Sequence, residues 1–175
     1  AIIAGFPNAT FLRLSVVFGP EDAMFNRMAQ IARQAPFLPV VGNGLAKVQP
    51  VYVGDVGSAA VVVLERPDTA RTVFELGGPR AYTYREIGEL VLREIDRRKR
   101  IVGIPAALMK IAGFFAEFLP VPPLTHDQVD LLVTDNVTRP SAPGLKQLGI
   151  TPTAAEAILP MYLDRYRIGG RYNPH

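Results

Sequence analysis

A chain of 175 residues, 49% hydrophobic and 20% charged, has the composition of an ordinary globular protein and is long enough to bury roughly 70% of its unfolded surface. Its net charge of +3, with the excess cations in Arg93 to Arg100 and Arg165 to Arg171, argues against a surface that coats nucleic acid and leaves room for a local basic docking patch. The lack of cysteine excludes disulfides, thiolate metal sites and a cysteine nucleophile and is compatible with a reducing compartment. His126 and His175, the two histidines, supply neither a histidine-rich metal site nor an ordinary Ser-His-Asp triad, so no metal is expected.

Ala1 to Asn8 reads as the last turn of a helix, ended by Gly5 and Pro7, so the chain is expected to begin inside a larger protein. Phe11 to Phe18 is a nearly continuous apolar run, the pattern of a strand covered on both faces in a parallel sheet, and Gly19-Pro20 stops it. Ligands of open α/β sheets bind just beyond strand carboxyl ends, here Ser15 to Pro20. Asp22 can cap a helix to Gln34 that carries Phe25, Met28, Ala29 and Ala32 on one face. Pro36, Pro39 and Gly42-Asn43-Gly44 predict an irregular loop, and Gln49 to Val53 a short extended segment. Asp55 is placed to cap a helix to about Arg66, with Val56, Ala59, Ala60, Val63 and Leu64 inward.

Thr72 to Leu76 reads as a strand ended by Gly77-Gly78. Thr83 and Glu86 form a capping box ahead of Ile87, Leu90, Val91 and Ile95 at helical spacing. Arg100 to Ile104 suits a short strand, and Pro105 opens a helix to about Leu119. Thr125 with Gln128 and Thr153 with Glu156 read as two further capping boxes. The last helix carries Ile158, Leu159, Tyr162, Leu163 and Tyr166.

Few of these features carry chemistry by themselves. Gly42-Asn43-Gly44 lacks a third glycine and a following helix, so a plain turn is the better reading than a phosphate loop. Asp22, Asp55, Asp127, Asp130 and Asp135 show no acid–base spacing, and His126 reads as a surface residue. Ile101 to Leu119 is the most apolar stretch. Lys110 and Glu117 interrupt it, which favours a core helix or one resting on a membrane or partner over a transmembrane span. The cations Arg93, Arg97, Arg98, Lys99 and Arg100 complement a helix C-terminus. Tyr162, Arg165, Tyr166, Arg167, Arg171 and Tyr172 have the mix typical of a protein interface.

Leu12 to Pro20, Gln49 to Val56 and Phe74 to Gly78 resemble the C-terminal half of extended or atypical short-chain dehydrogenase/reductases, the NAD-dependent epimerase/dehydratase superfamily. Phe18 to Asp22, Gln49 to Val53, Leu124 to Val129, Asp135-Asn136, Pro143 to Leu145 and Leu148 to Ile150 more narrowly resemble the nucleotide-binding accessory subunits of respiratory complex I and their bacterial relatives. The resemblance implies an α/β fold, the C-terminal portion of a Rossmann-like protein with few parallel strands and a helix-rich C-terminal region. In this reading 1–175 is a single fragment, with 1–80 the end of the Rossmann-like core plus pocket-covering insertions and 81–175 mostly helical.

The family's dinucleotide glycines and Tyr-x-x-x-Lys lie upstream of the matching region, so no catalytic residue is expected in this chain. What carries over is a cofactor-binding strand end, Leu14, Ser15, Val16 and Val17, on the nicotinamide side of NAD or NADP. Phe18, Phe25, Gln49 and Tyr52 are expected to line the substrate pocket. The family's usual proline before the serine is Leu14 here. The phosphate-gripping arginine of its sugar-nucleotide enzymes is replaced by Val48, with Lys47 beside it. The resemblance therefore implies a structural and assembly role next to complex I-type subunits, with peripheral membrane contact through 101–124. The corresponding location is the cytoplasmic face of a bacterial inner membrane or the mitochondrial matrix side. The alternative is an NAD(P)-dependent reductase or epimerase/dehydratase acting on a quinone-pathway or sugar-nucleotide substrate.

Overall fold

The computed structural model describes residues 5–109 and 130–169. The apolar run after Thr10 folds as two strands where one was expected, β1 (Phe11–Leu14) and β2 (Val17–Phe18). Further along the chain come β5 (Val51–Tyr52) and β6 (Val73–Leu76). β1 runs parallel to β6, Phe11 opposite Val73 and Leu14 opposite Leu76, while β2 runs parallel to β5. The partner changes at Ser15 and Val16. The Ser15 N–H still donates to the Leu76 carbonyl at 3.0 Å, and the Val16 carbonyl then accepts from the Val51 N–H at 2.9 Å. Among the described residues β1 has β6 as its sole strand neighbour. Its faces are incompletely covered: Phe11 and Leu12 are half-buried, Arg13 and Leu14 exposed, Leu14 by 39%.

The expected irregular loop is in part a strand. β3 (Phe37–Val41) runs parallel to β8 (Arg100–Ile104), with Phe37 opposite Arg100. Pro39 is tolerated because, among the described residues, β3 has one strand neighbour, so a missing N–H on its other side breaks no ladder. Gly42 and Gly44, at φ 58° and 67°, then make the plain turn their spacing predicts. A short antiparallel pair follows, β4 (Lys47–Val48) against β7 (Tyr82–Thr83).

The helices separate local signals from misleading ones. Helix α1 (Met24–Gln34) buries Phe25, Ala29 and Ala32, and the Phe25 N–H donates to Asp22 Oδ1 at 2.6 Å as a capping carboxylate should. Helix α2 (Val53–Glu65) starts before Asp55, so Asp55 does not cap it. Its carboxylate instead accepts from the Thr153 N–H at 2.7 Å and the Thr153 hydroxyl at 2.9 Å. Leu64, expected inward on α2, is 86% exposed.

Helix α3 (Tyr84–Glu94) forms the expected capping box: the Glu86 N–H donates to Thr83 Oγ1 at 3.1 Å and the Thr83 N–H to the Glu86 carboxylate at 2.7 Å. It ends in a Schellman turn. Asp96 sits at φ 53°, its N–H donates to the Arg93 carbonyl at 3.2 Å, and the Arg97 N–H reaches the Leu92 carbonyl at 2.9 Å. Helix α4 (Ala155–Leu163) lacks the third capping box, because Thr153 is bound to Asp55 and the Glu156 carboxylate accepts from the Tyr82 hydroxyl at 2.7 Å.

Two hydrophobic clusters result. The larger joins α1, α3 and α4 through Phe18, Phe25, Ile87, Val91, Leu159 and Leu163; the smaller joins β6 and α2 to the 3-10 turn Leu145–Leu148. Tyr162, Arg165 and Tyr166 also bond within the chain: the Tyr162 hydroxyl donates to Asp22, the Arg165 guanidinium to the Pro20 carbonyl and Asn26 Oδ1, and the Tyr166 hydroxyl to the same oxygen. Residues 106–109 are helical. The rest of the helix predicted from Pro105, the capping box at Thr125, His126 and the tail with Arg171 and Tyr172 lie outside the described residues. Among the described residues no helix is long and apolar enough to cross a membrane.

Candidate functional site at the strand ends

The carboxyl ends of β1 and β6 part where Gly77-Gly78 turns away. A side chain at Gly78 would put its Cβ 2.0 Å from the Pro50 carbonyl oxygen, so only glycine lets β6 pass this close to the chain leading into β5. Into the opening runs the stretch 135–143. The Asn136 N–H donates to the Lys47 carbonyl at 2.7 Å, its carbonyl accepts from the Gln49 N–H at 3.1 Å, and the Lys47 N–H donates to Asp135 Oδ1 at 2.8 Å. This stretch straps β4, β1 and β6 together through main-chain polar groups that a buried backbone has to satisfy.

Ser15 is buried, and its hydroxyl donates to the Asn136 carbonyl at 2.9 Å while accepting from the Gln49 N–H at 3.3 Å. It therefore fastens the strap to β1 and has no lone hydroxyl to offer a substrate. The Gln49 amide is committed as well: its Nε2 donates to the Gly78 carbonyl at 2.7 Å, and its Oε1 accepts from the Thr138 N–H at 3.1 Å and hydroxyl at 2.8 Å.

Sequence reasoning missed Glu75. It is buried on β6 directly opposite Arg13, and its carboxylate accepts from the Arg139 N–H at 2.8 Å, from Arg139 Nε at 2.9 Å and from an Arg13 terminal nitrogen at 2.9 Å. The Arg139 N–H first, then its guanidinium, hold the Glu75 carboxyl below the usual carboxylate range. The only signal in the sequence was a charged residue inside an apolar strand run.

Arg13, Leu14, Ser15, Glu75, Asn136, Val137 and Thr138 line a shallow crevice of about 30 Å³, open to solvent. It is far smaller than the roughly 300 Å³ at which drug-sized pockets begin, so by itself it encloses no dinucleotide. Of the expected cofactor-facing residues, Leu14 and Ser15 line this crevice; Val16 and Val17 are half-buried just beyond it.

Of the expected pocket residues, Phe18 and Phe25 are sealed in the larger core, their rings edge-to-face at 5.7 Å, and present no surface to a solute. Tyr52 is half-buried against Phe18, and Gln49 sits behind the strap. Val48 is fully buried, and its neighbour Lys47 is exposed. Among the described residues no cluster of histidine, cysteine or carboxylate side chains could hold a metal ion.

A family model described as NAD dependent epimerase/dehydratase matches residues 4–77. The NADH-ubiquinone oxidoreductase 40 kDa subunit of Neurospora crassa is 36% identical over 170 residues, covering 96% of this chain and 44% of that protein. The NADH dehydrogenase [ubiquinone] 1 alpha subcomplex subunit 9 of Arabidopsis thaliana is 31% identical over 180 residues, covering 97% of this chain and 45% of that protein. The chain spans less than half the length of these curated relatives. Among solved structures, an epimerase from Methanothermobacter thermautotrophicus aligns with a TM-score of 0.67 at 14% identity, over 94% of this chain and 45% of that one. The dTDP-glucose 4,6-dehydratase of Bacillus anthracis, solved with NAD, aligns at 0.61 and 18% identity, over 93% and 45%. At such identities these two show the Rossmann-like fold. Residues 4–77 match the NAD dependent epimerase/dehydratase family, and nearly the whole chain is similar to the mitochondrial NADH-ubiquinone oxidoreductase subunits.

Proposed function

We propose that this chain is the C-terminal part of an NAD(P)-binding protein that serves respiratory complex I-type subunits as a structural and assembly component at a membrane. The observation that carries this reading is the commitment of the polar groups at the strand ends. The Ser15 hydroxyl, the Gln49 amide and the Glu75 carboxylate all hold the strap in place and are not free to move a proton on a substrate. Kinship with the 40 kDa and alpha subcomplex proteins over nearly the whole chain supports the same assignment.

The bound dinucleotide would supply hydride-transfer capacity. This chain's share is a wall: the half-exposed Leu14 and the backbone from Ser15 to Val17 would meet the nicotinamide, and Phe18 and Phe25 would stiffen that wall from behind. The phosphates and any proton donor would be met by residues beyond this sequence, on its amino-terminal side. The location that goes with this reading is the matrix side of a mitochondrion or the cytoplasmic face of a bacterial inner membrane.

A reductase or epimerase/dehydratase acting on a small molecule is the competing reading, favoured by the solved neighbours. Val48 counts against its sugar-nucleotide form, because a fully buried valine leaves no place for a guanidinium to grip a diphosphate. The experiment is to purify the full-length protein from membranes and follow its NADPH. Retention without turnover, together with co-purifying respiratory subunits, is expected. Steady oxidation on addition of a quinone or a sugar nucleotide would overturn the proposal.

A further inference from the structure

The β3/β8 ribbon has one face turned to the core and one turned out. Leu38 and Val40 are buried on the inner face, where Ile101 joins them against the larger cluster. Strand alternation puts Phe37, Pro39, Val41, Arg100, Val102 and Ile104 on the other face, buried at its Val41 end, and the parallel register sets Phe37 beside Arg100 and Pro39 beside Val102. Phe37 is 39% and Val102 38% exposed, so an aromatic and a branched side chain each present part of their surface to solvent next to a guanidinium.

The fold brings more cations to this edge. Arg33 lies in the last turn of α1, and Arg97 and Arg98 follow the Schellman turn of α3. Lys99 Nζ donates to the Ala35 carbonyl at 2.9 Å, which ties the end of α1 to the start of β8 and gathers both groups at one place. The carboxylates close by in sequence are Glu94, which is 3.6 Å from Arg93, and Asp96 in the turn. The balance is strongly positive around an apolar centre. Beyond β8 the chain continues with Leu108, 58% exposed, so the apolar character extends along it.

We infer that this outer face of β3 and β8 docks on an anionic phospholipid surface, with the exposed Arg33, Arg98 and Arg100 at the headgroups and Phe37 and Val102 at the acyl boundary. The charge complementarity selects the lipid: clustered arginines around exposed apolar side chains suit a sheet of phosphates lying over hydrocarbon. The inference rests on the membrane placement proposed above and adds the surface that would make the contact.

The test is sedimentation of the full chain with phosphatidylcholine vesicles, with and without about a third phosphatidylserine, at about 0.1 M and about 1 M salt. Binding is expected to the anionic vesicles alone and is expected to be lost at high salt. Arg98→Gln/Arg100→Gln should lower the partition coefficient roughly thirtyfold, about fivefold per cation. Phe37→Ser should lower it further, and circular dichroism should show both variants folded, since the substituted side chains are exposed. Equal binding to neutral vesicles, no binding by the unaltered chain, or unchanged binding by the double variant would overturn the inference. If the unaltered chain ignores vesicles and the double variant loses its respiratory subunits, the face takes an acidic protein. The lipid inference then fails while the assembly reading survives.

Discussion

The two halves of the interior are held by different forces. Around α1, α3 and α4, close-packed apolar side chains such as Phe25, Ile87 and Leu159 are buried completely, and the polar links there, Tyr82 to Glu156 and Tyr162 to Asp22, sit at the margin of that packing. Around β1 and β6 the apolar cluster is small, and the strand ends are fixed by directional bonds from Ser15, Gln49 and Glu75 to the strap. The first arrangement supplies stability in bulk. The second fixes positions at the place where a ligand would rest.

That contrast orders the expected effects of substitution. Phe25→Ala should be the most damaging, at about 3–5 kcal/mol, because it empties a closed site against Phe18. Chemical denaturation would measure it, and a loss under 1 kcal/mol would mean the larger cluster is not the main source of stability. Gly78→Ala comes next, at the upper end of the roughly 1–3 kcal/mol for overpacking, since its Cβ meets a backbone oxygen that has no side-chain freedom to yield. The same variant should loosen the strand ends, detectable as faster amide exchange at Gln49 and Asn136.

Tyr162→Phe should cost about 1–1.5 kcal/mol near neutral pH through the lost bond to Asp22. Burial first, and then Asp22, push the Tyr162 hydroxyl above its ordinary value. A raised folded value means this contribution is fully present below about pH 10 and is lost as pH rises through the folded value, so the gap between the unaltered chain and Tyr162→Phe should close in strong alkali. Glu75→Gln has the opposite signature. The Glu75 carboxyl is held low in the folded state, so its contribution is present above the ordinary carboxylate range and disappears as pH falls through that range and below it. Parallel melts across acid pH should converge for this pair, and a constant gap would remove the carboxylate from the account. The smallest effect is a gain: Asp96→Gly should stabilise by about 0.5 kcal/mol, because glycine enters the left-handed region without the strain of a Cβ.

Legibility in the sequence followed the range of the bonds concerned. The Thr83 and Glu86 box, the Asp22 cap and the Gly42-Gly44 turn are closed within a few residues, so their local pattern was sufficient. Asp55 and Glu156 carried the same local signature, yet their partners lie 98 and 74 residues away, and tertiary contacts outbid the cap. Pro39 looked like a strand breaker because nothing local reveals that β3 has, among the described residues, one strand neighbour. The division of β1 from β2 was hidden for a similar reason: an apolar run does not record a change of partner at Ser15. The bonds from Tyr162, Arg165 and Tyr166 to Asp22, Pro20 and Asn26 were equally hidden, since their partners lie about 140 residues earlier in the chain. At the candidate site the family pattern pointed to the strand end. The strap and Glu75 were not, since both depend on residues 135–143 crossing a strand end far away in the chain.

The most direct measurement is NADPH affinity of the full-length protein carrying Leu14→Glu, read by fluorescence of the bound nicotinamide. Leu14 is already 39% exposed, so the fold should tolerate the change and the melting temperature should stay nearly constant. Affinity should fall at least about tenfold, a carboxylate having been placed where the ring needs an apolar wall. Unchanged affinity in a folded variant would contradict the claim that the end of β1 faces the cofactor.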